Sequence, residues 1–223
     1  MSTLGIEGAH PGGINLTKEI FKRENINRHS RILDVGCGAG QTAAYLSYRY
    51  GAKVTGIDIN PTMVDKAERR VKKNRLPVKI MQGSVENIPL PDHHFDFIIS
   101  ESVLSFVNKP RALEEIFRLL KNGGRFIAIE HTINQRLKKT EETEIKNFYG
   151  FPSLSTEKDW LDLLKRAGFA HCRIQEHTSI HSVPNFHFPN VMEPELYEIM
   201  EKHIDFLFKY KGRLDYRIYS CTK

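Results

Sequence analysis

Leu33-Asp34-Val35-Gly36-Cys37-Gly38-Ala39-Gly40-Gln41 sets a glycine-rich turn between the apolar run RILDV (31–35) and the helical stretch TAAYLSYRY (42–50). Glycines in such a turn let the backbone come close to a ligand, and the helix start behind them offers unpaired N–H groups. The dinucleotide fingerprint GxGxxG would need a third glycine at 41, where this chain has Gln41, so the spacing tilts away from NAD.

Outward from the loop, short apolar runs alternate with helical ones as far as Glu130, the pattern of βαβ units and a parallel sheet. KVTGIDI (53–59), VKIMQG (78–83), FDFIIS (95–100) and RFIAIE (125–130) follow RILDV as strands. Pro61 opens the helix TMVDKAERRVKKN, and Gly123-Gly124 stops the helix RALEEIFRLLK. Residues 132–154 lose the alternation and read as an irregular insertion over the carboxyl ends of the strands, where open α/β sheets bind ligands. Ser155 or Thr156 then caps the helix EKDWLDLLKRAGF, and AHCRIQEHTS is a sixth strand. Leu196, Met200, Ile204, Leu207 and Phe208 share a helical face, and LDYRIYSC closes the chain as an antiparallel strand. The expectation is a single doubly wound α/β domain over 1–223: a helical cap (1–30), a core (31–180) and a C-terminal helix and strand (181–223). Its seven-stranded sheet is mostly parallel, with helices on both faces.

At 223 residues, with 40% hydrophobic and 27% charged residues, the chain has the composition of one soluble domain. No apolar run reaches the roughly 20 residues of a membrane span, and MSTLGIEGAHPGG does not read as a secretory signal, so the expected compartment is the cytoplasm. Cys37, Cys172 and Cys221 are widely spaced and odd in number, which argues against a disulfide framework, and no Cys/His cluster suggests a metal. The net charge of +6 is dispersed, and the densest basic group, Lys66 to Arg75, lies at helical spacing as a solvated face.

The second strand ends in Gly56-Ile57-Asp58, which puts a carboxylate beside the glycine turn where it can accept from a ribose diol. Asp34 would repel a pyrophosphate but suits a cationic head group. Together these favour S-adenosylmethionine. LDVGCGAG, VTGIDI, GSVENIPLPDHHFDFIIS and LLKNGGRFIAIE occur in the order that resembles the class I S-adenosylmethionine-dependent methyltransferases. The likeness is greatest to the small-molecule group of ubiquinone and menaquinone biosynthesis.

That resemblance implies a Rossmann-like fold and roles for particular residues. Gly36, Cys37, Gly38 and Gly40 would line the methionine part of the cofactor, with Asp34 near its amino group. Asp58 would hold the ribose and Ile59 the adenine. Ser84 and Val85 stand where the family has Asp and a small residue that contact the adenine. Ser100 and Glu101 would border the methionine and the substrate mouth. Glu7 to Gly13 is similar to a segment that closes over the cofactor in a subset of the family; as residues alone they equally read as a turn before the helix INLTKEIFKR.

Methyl transfer from a sulfonium needs alignment in a dry pocket, and a base only for some acceptors. Relatives carry histidines where this chain has Leu104-Ser105-Phe106-Val107. Glu130 and His131 are therefore the catalytic candidates. His10, His181 and His187 lie in segments that could fold over the pocket, and His93-His94 sits in a solvated turn. Phe148, Tyr149, Phe151, Phe186 and Phe188 form either an apolar lid or ordinary core. The expected partner is a small-molecule methyl acceptor. RNA or protein methylation lacks a motif or basic tail to support it. The competing functions are a non-catalytic cofactor-binding protein and an NAD-dependent oxidoreductase, and either a monomer or a homodimer fits.

Overall fold

The computed structural model describes residues 12–176 and 194–223. Helix α1 (Gly13–Phe21) leads into β1 (Arg31–Val35), α2 (Gln41–Tyr50), β2 (Lys53–Asp58), α3 (Pro61–Lys73), β3 (Lys79–Gln82) and β4 (Phe95–Glu101). After a 3-10 turn (Leu104–Phe106) come α4 (Lys109–Leu119), β5 (Leu120–Ile133), α5 (Lys139–Tyr149), α6 (Glu157–Arg166), β6 (Ala170–Glu176), α7 (Pro194–Lys209) and β7 (Leu214–Thr222). The seven strands form one sheet in the order β3-β2-β1-β4-β5-β7-β6, parallel except where β7 pairs with β5 and β6.

Side-chain alternation along the strands feeds two cores. On one face Ile32, Val54, Phe97, Ile99 and Ile127 pack under Leu16, Ile20 and Phe21 of α1 and Ala43 and Leu46 of α2. On the other, Leu33, Val35, Ile98, Phe126 and Tyr219 pack under Leu113 and Ile116 of α4 and Trp160 and Leu164 of α6. The doubly wound expectation holds. Asn60 caps α3, its side chain accepting from the Thr62 N–H at 2.9 Å behind Pro61. Thr156 caps α6 in a reciprocal exchange with Asp159.

Several local expectations are corrected. Helix α4 stops at Leu119, ahead of Gly123, because Leu120 is wholly buried and pairs with Phe95 in the sheet. The insertion is more regular than its sequence suggested. Thr132 and Ile133 extend β5 against Asp215 and Leu214, and 139–149 form α5, started by the Glu141 carboxylate accepting the Lys138 N–H at 3.0 Å. Only Ile145 and Tyr149 of α5 are buried, too short a stripe to stand out among the charges of KTEETEIK. On α7 His203 is buried, and Phe208, expected on the apolar face, is 71% exposed, while Tyr210 just after the helix is buried. The expectation of unpaired cysteines also fails: His171 has φ +50 at a shift in the β6–β7 register, and the next residue, Cys172, is joined to Cys221 with Cα atoms 4.1 Å apart. No helix of the described residues is long and apolar enough to cross a membrane.

Candidate active site

The glycine loop is tied to β2, with the Gly36 and Cys37 N–H groups both donating to the Ile57 carbonyl at 2.7 and 3.0 Å. Gly36, Gly38 and Gly40 all have positive φ, but their surroundings differ. A Cβ on Gly36 would collide with the Val103 side chain, and one on Gly40 would lie 3.0 Å from Ala67, whereas one on Gly38 would meet only open space. The first and third glycines let elements close, and the middle one leaves a cradle. Gly56 does the same for Cys37, whose sulfur would be 2.8 Å from an added Cβ.

Asp58 accepts the Gly38 N–H at 2.8 Å on one oxygen and the Asn60 N–H at 2.9 Å on the other. A carboxylate has about four acceptor positions, so two remain for a diol. Ile59 beside it is 69% exposed, an apolar side chain presented at a strand terminus. The Ser84 hydroxyl accepts from the Glu86 N–H at 3.2 Å, which turns it toward its own loop, and Val85 is buried in the core.

Asp34 is 2% exposed, and one of its oxygens has no hydrogen-bond partner. Burial, reinforced by Glu101, pushes its carboxyl well above the usual range, and the Ala43 N–H at the start of α2 only partly opposes this. Glu101 accepts from the Thr17 hydroxyl of α1 and from that of Thr42 on α2 at 2.6 Å, so it binds both helices to the strand ends. Ser102, which has φ +60, carries a buried hydroxyl oxygen without a partner, and so does the buried Nδ1 of His131. Asp34, Ser102 and His131 stand at the carboxyl ends of the adjacent strands β1, β4 and β5. Orphaned buried polar atoms are rare, and three at one end of a sheet mark a place built for a polar ligand. A cation beside Asp34, a diol on Asp58 and an apolar ring over Ile59 fit S-adenosylmethionine part by part.

The sequence profile of the family described as "Methyltransferase domain" matches residues 33–128. The chain is 32% identical over 227 residues to an uncharacterized methyltransferase, YodH, of Bacillus subtilis, covering 100% of this chain and 97% of that protein. The chain belongs to the class I S-adenosylmethionine-dependent methyltransferases. Phosphoethanolamine N-methyltransferase 1 of Zea mays is 30% identical over 202 residues, which is 89% of this methyltransferase and 38% of the plant protein. In fold it superposes on phosphoethanolamine N-methyltransferase 2 of Haemonchus contortus, solved with S-adenosyl-L-methionine, with a TM-score of 0.83 at 18% identity over 97% and 54% of the two chains.

Glu130, a catalytic candidate of the sequence, and Ser100, expected at the substrate mouth, both lie buried in this methyltransferase. Glu130 is fully buried and accepts from the hydroxyls of Ser100 and Ser105 and from the N–H groups of Val103, Leu104 and Ser105, at 2.9 to 3.2 Å. Burial pushes its carboxyl up and the Leu104 N–H, Ser100 and Ser105 counter that. Its oxygens are occupied, so it braces the turn after β4 and is not placed to meet a substrate. Ser100 is likewise buried and spent on Glu130. Sequence reading missed Ser102 and Thr17, whose only signal was their position beside Glu101 and within α1.

His131 is different. Its ring centroid lies 5.2 Å from that of Phe151 and 5.9 Å from that of Tyr149, while Phe106 meets Phe151 at 5.0 Å. The Tyr149 hydroxyl lies 3.0 Å from Nδ1 of His203 on α7, and the Trp160 N–H holds the His131 carbonyl at 3.0 Å. Burial, with His203 nearby, lowers the His131 pKa to about 4, so the ring is neutral at physiological pH. Phe148 stacks on Phe206 at 4.1 Å, making the aromatic layer between α5 and α7. His93 and His94 lie in the turn before β4, at the other end of the strands. His10, His181, His187, Phe186, Phe188 and the expected closure by Glu7 to Pro11 lie outside the described residues.

Proposed function

We propose that this methyltransferase modifies a small molecule seated between the ends of β4 and β5 and the aromatic layer of α5 and α7, with His131 as its polar contact. The observation that carries this reading is the unpartnered Nδ1 of His131 among the rings of Phe151 and Tyr149. A neutral imidazole there can accept a hydrogen bond from a hydroxyl or amine and take its proton during transfer. The aromatic walls exclude water and suit a flat or apolar acceptor body. Relatives named for phosphoethanolamine and for demethylmenaquinone support a small acceptor.

When bound, S-adenosylmethionine supplies an electrophilic methyl group on a sulfonium. In this reading Gly36, Cys37, Gly38 and Gly40 lie along its methionine part, Asp34 and Glu101 face its amino end, Asp58 takes the ribose, and Ile59, Ser84 and Val85 border the adenine. Ser100 and Glu130 act through the turn that they hold. The test is calorimetric titration with S-adenosylmethionine, S-adenosylhomocysteine and NAD, followed by an acceptor screen read by mass spectrometry with His131→Asn alongside. Binding of the adenosyl ligands that is lost in Asp58→Ala, and turnover that falls in His131→Asn with cofactor affinity kept, are expected. Undiminished turnover in His131→Asn would remove the histidine from the reaction.

A further inference from the structure

The connection from β3 to β4, residues 83–94, contains no helix. Its Val85 and Ile88 pack with Leu33, Val35 and Ile57, covering the carboxyl half of one sheet face. At the amino ends of the same strands that face carries Arg31, Lys53, Thr55 and Lys79. The register makes them neighbours, Arg31 pairing with Lys53 and Thr55 with Lys79, and residues two apart share a face. Three cations thus lie on three adjacent strands spaced about 4.8 Å apart.

They line a recess of about 290 Å³ together with Pro77 and His94, and no acidic residue lines it. Nδ1 of His94 lies 3.2 Å from the Arg31 guanidinium. Asp96 on β4 is already engaged, accepting the Arg31 backbone N–H at 2.8 Å and pairing with Lys121 at 2.6 Å. Like charges on neighbouring strands repel, and an anion between them would relieve that repulsion. The recess is bounded by Pro77 and Phe95 beside the cations, a setting of small-molecule rather than membrane-surface dimensions.

We propose that Arg31, Lys53, Lys79 and His94 form a second binding site, for a small molecule bearing a pyrophosphate group, at the end of the sheet opposite the methyl-transfer site. Two or three negative charges match three cations and an imidazole that can take up a proton. Burial, Arg31 and Lys121 hold the His94 pKa below its usual value while Asp96 raises it, so a bound anion should move it upward.

The test is titration of the full chain with inorganic pyrophosphate and with ADP at constant ionic strength, read by calorimetry and by the His94 ring signals in NMR. Saturable binding, a raised His94 pKa, and a loss of at least about tenfold in affinity in Lys53→Gln/Lys79→Gln are expected, with S-adenosylmethionine binding unchanged. Both lysines are exposed, and Lys53→Gln alone, expected to weaken binding by a smaller factor, serves if the double variant folds poorly. No saturable binding beyond that of chloride, binding undiminished in the variants, or binding only to anionic phospholipid vesicles would overturn the proposal.

Discussion

Asp34 is a single side chain that opposes the fold and, in the proposed reading, serves the ligand. A buried carboxyl with a raised pKa adds stability at low pH that is lost as pH rises through that pKa, because ionisation in the folded state is penalised. Asp34→Asn should therefore raise the stability of the ligand-free protein at neutral pH, by about 1 kcal/mol in urea unfolding, while weakening S-adenosylmethionine binding. A cationic head group favours the ionised carboxyl, so binding should release a proton and weaken as pH falls through the raised pKa. Calorimetry in buffers of different ionisation enthalpy measures that proton. For His131 the sign is opposite: its pKa falls to about 4 on folding, so its contribution is complete above about pH 6.5 and is lost as pH drops toward 4. A pH–rate profile without a histidine limb between 5 and 8 is the expected kinetic counterpart. Glu130→Gln should cost about 2 kcal/mol or more, since an amide NH₂ would face N–H donors from the turn after β4. The sequence placed Asp34, Asp58 and the glycines correctly beside one another because strand ends and a tight turn are local features. It misjudged Glu130 because which way a strand-end side chain turns depends on Leu104 and Ser105, donors from another part of the chain.

Among the elements, the glycine loop separates folding from binding. Gly36→Ala must move Val103 and adopt φ +67, so it should destabilise the protein and abolish binding together. Gly38→Ala meets no atom and should cost only about 1–2 kcal/mol for its left-handed backbone, yet lose cofactor binding because its methyl enters the cradle. Melting curves with and without S-adenosylhomocysteine distinguish the two. The pair α5 and α7 is the counterpart on the proposed acceptor side. Tyr149→Phe removes the contact to His203 and should raise the acceptor KM while leaving cofactor affinity alone. Strands β1 to β5 were legible because short apolar segments alternate with helical ones along this part of the chain. Helix α5 was not, because its few buried residues face a satellite core that forms only when Phe206 of α7 and Tyr210 just after it arrive.

At the scale of the molecule, ligand binding and stability are linked. S-adenosylhomocysteine at a hundredfold above its Kd should add about 2.7 kcal/mol, a rise of about 5–10 °C in Tm for a chain of this size. Its absence in Asp58→Ala would tie the shift to the carboxyl ends of the strands. The sheet order was only partly readable, since nothing in LDYRIYSC says which strands it separates. Its position has a consequence for biosynthesis. β7 lies between β5 and β6, so β6 has no place in the sheet until residues 214–222 have left the ribosome. While they are being made, β5 offers an unpaired edge to any other nascent chain, and the interval is one in which a chaperone would guard the growing polypeptide.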